Sequence, residues 1–379
     1  MHLPFVFRRT LVTIICIAFA IAYTAPGITF MARKGVVSTD FANSMQRWAY
    51  PFLGYISILI TILVIEDILI LFRKTVYITF WHMHFRRFLA SFSSYFRFLR
   101  HNYHAERLGR LLVFMSSLIL FGVALKNGQE TVVTQNKLPV LNLASGFEGY
   151  KIALISDMHI GPVYDRRLTE RIVEKTNAEN PDLVVIAGDA ADGLPINLQK
   201  DLAPLALLRA KDGIVYATGN HEYYWDAPAW MQAFRDLGFD VLMNSAKLIK
   251  RGKSTLAIGG VPDRQGERFI PDHVIDISKT FSQTPHNAST TWLLVAHQPK
   301  VVEDAIAAGV DIQLSGHTHG GQFFPWTLIV QLAQKYPRGL FELGNTTLFV
   351  STGAGAWGPP LRLGVPAEIP ILTLEPKTL

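Results

Sequence analysis

Two imidazoles two residues apart, His317 and His319, stand in the glycine-framed stretch SGHTHGGQ of residues 315–322. Neutral imidazole is the commonest protein ligand for transition metals, so the spacing raises a metal site, although a polar turn would use the same letters. Four further stretches bear on the choice. Asp157 and His159 follow the run KIALIS, Asp189 follows DLVVIAG, Asn220 and His221 follow GIVYATG, and His297 ends TWLLVA. Together with VDIQLSG before His317, these are five apolar runs that each end in one or two metal-capable side chains.

The donor types narrow the chemistry. Two carboxylates (Asp157, Asp189), four imidazoles (His159, His297, His317, His319) and one amide (Asn220) are too many for one ion and suit two. Nitrogen and oxygen donors without thiolate fit Mn, Fe, Zn or a similar divalent ion and disfavour a structural zinc site. Two ions sharing a carboxylate would lie about 3.5–4 Å apart, the spacing that clamps both oxygens of a phosphoryl displacement. The residues therefore predict a two-metal hydrolase.

Something must bring residues as far apart as 157 and 319 together. The five runs, with STLAIGG and TTLFVSTG, read as short strands. RRLTERIVEKTNAEN, APAWMQAFRDLG and KVVEDAIAAG carry apolar residues at three- and four-residue spacing and read as helices. Such an order predicts a layered α/β fold of mixed sheets covered by helices. In these sheets ligands bind in the crevice at the carboxyl ends of the strands, which is where every donor falls.

The chain has 379 residues, 49% of them hydrophobic, and the excess lies in its first third. Residues 11–31, 52–72 and 108–125 are each near the roughly 20 residues that cross a bilayer. Residues 1–126 are accordingly expected to form a membrane region, 127–149 a linker and 150–379 the globular domain. Much of the net charge of +6 sits between the second and third spans, in a loop bearing Arg73, Lys74, Arg86, Arg87, Arg97, Arg100, Arg107 and Arg110. The positive-inside rule puts that loop in the cytoplasm and the domain on the outer face of a multi-pass inner-membrane protein. Residues 75–96 would reverse this by crossing, but central arginines favour an interfacial helix. The single cysteine, Cys16, excludes an intrachain disulfide.

DMH (157–159), GDAAD (188–192), GNHE (219–222), AHQP (296–299) and GHTH (316–319) resemble, in order and spacing, the five motifs of the calcineurin-like metallophosphoesterases. The extended forms GNHEYY and SGHTHGGQ resemble the bacterial membrane-anchored branch. The likeness implies a four-layer α/β/β/α sandwich. It also implies that Asp157, His159 and His319 hold one ion, that Asn220, His297 and His317 hold the other, and that Asp189 bridges them. His221 would bind neither ion and would instead serve the substrate as a catalytic proton donor. A water ionised between two cations would attack phosphorus.

Other residues are open between two roles. Asp192 could orient a ligand histidine or cap a loop. Arg264, Arg268, Arg338 and Arg362 are candidates to bind substrate phosphate. Trp326 and Trp357, with Phe323 and Phe324, suit either a membrane-surface belt or core packing, and Trp230 suits packing. The expected activity is hydrolysis of a phosphodiester or pyrophosphate in a phosphorylated small molecule or lipid. Alternatives are a lipid A pyrophosphatase acting on UDP-2,3-diacylglucosamine, which would need a cytoplasmic domain, and a non-catalytic membrane sensor. No basic-aromatic stripe points to nucleic acid.

Overall fold

The computed structural model describes residues 30–80 and 103–377, with Ala20, Thr24, Gly27 and Ile28. Most of the expected span at 11–31 and most of the segment at 75–96 lie outside the described residues. Twelve strands form two six-stranded sheets. The first has the order β1 (Thr131–Val140), β12 (Ala367–Pro376), β2 (Lys151–Ile155), β3 (Leu183–Ala187), β4 (Ile214–Ala217), β5 (Asp240–Val241). The second runs β10 (Gly339–Leu343), β11 (Thr346–Val350), β9 (Ile312–Ser315), β8 (Thr290–Val295), β7 (Ser254–Gly260), β6 (Ser245–Arg251). The central strands β2 to β5, and β7, β8, β9 and β11, are parallel within their sheets.

Side chains alternate across a strand, so each central strand feeds two cores. Ile152 and Leu154 of β2 and Val185 of β3 meet Ile258, Leu293 and Leu314 of the facing sheet. Ala153, Ile155 and Ile186 turn the other way, onto helices at Arg166–Ala178, Pro195–Leu202 and Ala227–Asp236 through Leu168, Ile172, Leu198, Trp230 and Phe234. Ala257 and Leu294 of the second sheet pack outward on helices at Ile277–Phe281 and Val302–Ala308. These three cores make the four layers α/β/β/α. Burial on both faces explains why the strands read as unbroken apolar runs rather than alternating ones.

The helices start where their sequences say. Asp165 caps the first by accepting from Arg167 N, and Asp226 caps the third by accepting from Ala229 N. One expectation is corrected. Residues 127–149 are not a linker, because Thr131–Val140 is a ten-residue strand paired in parallel with β12 from Thr131↔Ala367 to Val140↔Pro376. As an edge strand with one partner it keeps polar Gln135, Asn136 and Lys137, which hid it among turn-forming residues.

Two long helices precede the sheets: α1 (Thr39–Phe80) and α2 (Tyr103–Gly128). Within them Thr39–Leu69 and Leu108–Gly128 are long and apolar enough to cross a membrane. They pair through Tyr55, whose ring meets Phe121 edge-on at 5.5 Å and whose hydroxyl lies 3.3 Å from Ser117 Oγ. The end of this pair nearest the sheets is fastened to the domain. Ile58 and Ala124 are buried with Phe323 and Leu361, Arg47 Nε donates to Pro162 O, and Tyr164 Oη donates to Gly128 O.

Candidate metal centre

The chain turns sharply as it leaves the strand ends. Asp157, His159, Asp189, His317 and His319 all have φ between 48 and 74°, the left-handed region that costs a non-glycine residue about 1–2 kcal/mol each. Five such residues at one rim mark a site where function, and not propensity, sets the backbone. Glycine is required beside them. A Cβ on Gly219 would strike the Asp189 carboxylate, and one on Gly316 would strike that of Asp157.

Asp157, His159, Asp189, His297, His317 and His319 come together at this rim, joined by His221. Among the described residues, three groups have donor atoms within 4.8 Å of one another: Asp157, His159 and His319; His159, Asp189 and His221; Asp189, His297 and His317. The groups share His159 and Asp189, so they form one continuous cluster. Nε2 of His159 faces Nε2 of His319 at 3.1 Å, and Nε2 of His297 lies 3.0 Å from Asp189 Oδ2.

Two observations test whether this cluster fits a metal. Asn220 Oδ1 is buried and has no hydrogen-bond partner among the described residues. An orphaned buried acceptor is costly, and a cation relieves it. His297 Nδ1 meets the Ala187 carbonyl at 2.8 Å and must donate there, which turns Nε2 onto Asp189 Oδ2 at 3.0 Å; burial opposes a charge on this ring, but Asp189 holds it protonated, and a cation at Nε2 would take that proton's place. Burial and then the neighbouring His297 push His317 down to about 4, and burial with His159 holds His319 well below the usual histidine range. Both rings are thus neutral and able to coordinate. Burial opposes ionisation of Asp189, but His297 and His221 outweigh it and keep the carboxylate charged. The donors fit divalent cations.

Asp192 lies between two rings, accepting at Oδ2 from His159 Nδ1 (3.2 Å) and at Oδ1 from His221 Nδ1. Glu222 did not stand out in the sequence. Fully buried, it accepts from the backbone N–H groups of Asp189 (3.0 Å), Ala190 (2.8 Å) and Gly219 (2.7 Å), and so ties two donor loops together. Its place as the acid three residues after the helix-capping Gly219 was the available signal.

The four arginines separate. Arg264 and Arg268 are exposed on the loop after β7. Arg338 is exposed and its side chain runs beside Gly320 in the metal loop. Arg362 is fully buried, so it is not placed to meet a phosphate from solvent; its guanidinium donates to the carbonyls of His319 (3.0 Å), Thr352 (2.8 Å) and Gly355. Of the aromatic residues, Trp230 and Phe323 are buried, whereas Phe324, Trp326 and Trp357 are 47, 47 and 59% exposed.

Comparison with known proteins points the same way as the geometry. Residues 150–321 match the family model described as calcineurin-like phosphoesterase. A Danio rerio protein described as a transmembrane protein with metallophosphoesterase domain is 32% identical over 275 residues, covering 70% of this chain and 62% of its own. An uncharacterized metallophosphoesterase of Helicobacter pylori is 39% identical over 232 residues, 60% of each chain. One from Aquifex aeolicus is 35% identical over 232 residues, covering 60% of this chain and 85% of that protein. The chain spans less than two thirds of the length of the first two.

Proposed function

Because this chain belongs to the calcineurin-like metallophosphoesterase family, we propose that it is a membrane-anchored hydrolase that uses two divalent ions to cleave a phosphodiester or pyrophosphate, with a lipid-linked phosphate as the preferred substrate class. The observation that carries this reading is the buried Asn220 Oδ1, unpartnered among the described residues, together with the donor groups that converge on Asp189. Asp157, His159 and His319 would hold one ion, Asn220, His297 and His317 the other, and Asp189 both. Bound ions supply Lewis acidity, polarising phosphoryl oxygens and lowering the pKa of water.

The chain's own groups do the rest. Asp192 anchors Nδ1 of His221, which leaves Nε2 as the ring atom toward the centre, 3.9 Å from Asp189 Oδ2. Burial alone would lower the His221 pKa, but Asp189 and Asp192 overcome it and raise it to about 9. His221 is therefore the proton source for the leaving oxygen. Glu222 and Gly219 fix the loops that carry Asp189 and Asn220, and Arg338, exposed with its side chain beside Gly320, would be the arginine to meet a phosphate.

The basic loop between the second and third spans favours a cytoplasmic loop and hence a domain on the outer face. That sidedness disfavours the UDP-2,3-diacylglucosamine reaction. A reporter fused to the C-terminus reads the side directly. The activity is tested with the full chain in detergent, Mn²⁺ and bis-p-nitrophenyl phosphate. Hydrolysis that requires the metal supports the proposal; ions bound with no turnover under any divalent metal would turn it toward a sensor.

A further inference from the structure

The loop of His317 and His319 runs straight into a segment that is left unburied among the described residues. After Gln322 and Phe323 the chain passes Phe324 and Pro325 into a helix, Trp326–Ala333, with the sequence WTLIVQLA. None of its eight residues is buried; Trp326, Leu328 and Ile329 are 44–48% exposed and Leu332 is 81% exposed. A contiguous apolar patch of this kind marks a partner.

Two contacts set this helix beside α1. Trp326 Nε1 donates to Ser57 Oγ on α1 at 3.1 Å, and Phe323, just before the helix, is buried with Ile58, Ala124 and Leu361. The short helix therefore adjoins the long pair at the level where that pair leaves the domain. Beyond Ser57, α1 exposes Ile60, Leu63, Val64, Ile65, Ile68 and Leu69, with Glu66 and Asp67 among them, so the short helix meets α1 where its apolar exposed stretch begins. Tryptophan and phenylalanine at this level suit the lipid–water boundary, and exposed Arg338 beside the metal loop suits an anionic headgroup.

We propose that Phe324–Ala333 is an interfacial segment that lies in the headgroup boundary of the bilayer beside α1, and that it holds the metal loop at the membrane surface, where phosphate esters of lipids are within reach. The substrate part of this inference rests on the hydrolase reading above; the lipid contact does not.

The test uses the full chain with Cys16→Ser, carrying one new cysteine from Leu332→Cys, Ile119→Cys or Lys253→Cys, each labelled with a polarity-sensitive fluorophore. Ile119 is an exposed residue of α2, and Lys253 lies in the turn before β7, at the sheet edge opposite the metal rim. The proteins are placed in phosphatidylcholine–phosphatidylglycerol vesicles containing spin-labelled lipid. The label at 332 is expected to shift to the blue and to be quenched at least about twofold more than the label at 253. A blue shift at 332 without lipid quenching would mean a protein partner and would overturn the proposal. Quenching at 119 but not at 332 would overturn it while leaving the long helices in lipid, and quenching at neither would remove the anchoring as well. Lipid depth is read whether or not the protein hydrolyses anything, so failure of the hydrolase reading shows separately.

Discussion

At the rim of the sheets Asp157, His159, Asp189, Asn220, His297 and His319 are at most 5% exposed, whereas on the long helices Ile60, Ile68, Leu69, Phe72, Leu112 and Ile119 are each at least half exposed. One region hides polar groups and the other displays apolar ones. Either arrangement is unfavourable for a chain alone in water. Each becomes favourable with a partner the chain does not encode: cations for the rim, lipid for the helices. Asp182 shows that burial of a charge does not by itself call for a cation. Only 7% exposed, it is satisfied from within, by Lys151 N at 2.9 Å, Lys211 Nζ at 2.8 Å and Arg251 at 3.4 Å.

The contrast can be broken most severely at Asp189, which belongs to two of the three donor groups. Asp189→Asn should abolish metal-dependent hydrolysis and lower bound metal, by more than the roughly 10 to 100-fold that loss of an outer partner costs. Elemental analysis of the purified variant reads this, and a full metal complement would contradict the bridging role. His221→Ala should reduce turnover by roughly 10² to 10⁴-fold with metal content unchanged. Steady-state rates beside the same elemental analysis separate the two roles, since lost metal would make His221 a ligand instead.

Arg362→Met sharpens the contrast by leaving three carbonyls under the metal loop without their donor. The expected loss is on the order of 3 kcal/mol, read by denaturant titration of the metal-free protein. A negligible change would mean that water replaces the guanidinium. The smallest effect belongs to the internal control. Asp182→Asn should cost about 1–2 kcal/mol near neutral pH. Burial opposes its ionisation, but the Lys151 N–H and the Lys211 and Arg251 cations hold its carboxyl below the usual range. A depressed folded-state pKa stabilises above the unfolded value and loses that stabilisation as pH falls through the folded one. The gap between wild type and variant should thus close as pH falls through the depressed folded-state value. Added metal should leave it unchanged, whereas metal should stabilise the wild-type rim.

Much of the site was legible because chemistry there depends on residue type. Asp157, His159, Asp189, Asn220, His297, His317 and His319 each follow an apolar run, and parallel strands necessarily end on one edge. The strands buried on both faces were legible for the same reason, being apolar without interruption. β1 was not, since an edge strand with polar Gln135 to Lys137 carries no such signature. Glu222 was quoted within a motif, yet its task of joining the Asp189 and Gly219 loops appears only when those backbones meet. Arg362 is the sharper case: sequence could offer it only as a charge in a loop, and the fold turns that charge inward beneath His319.

The sequence by itself determined the candidate donors, their division among five strand ends and the stretches long and apolar enough to cross a membrane, because these follow from side-chain type and periodicity. Tertiary structure alone decided which nitrogen of His297 faces Asp189, which arginine is buried, and that the helix after the metal loop adjoins α1 at Ser57. Those outcomes depend on distances between segments far apart in the chain, and local preference carries no information about distance.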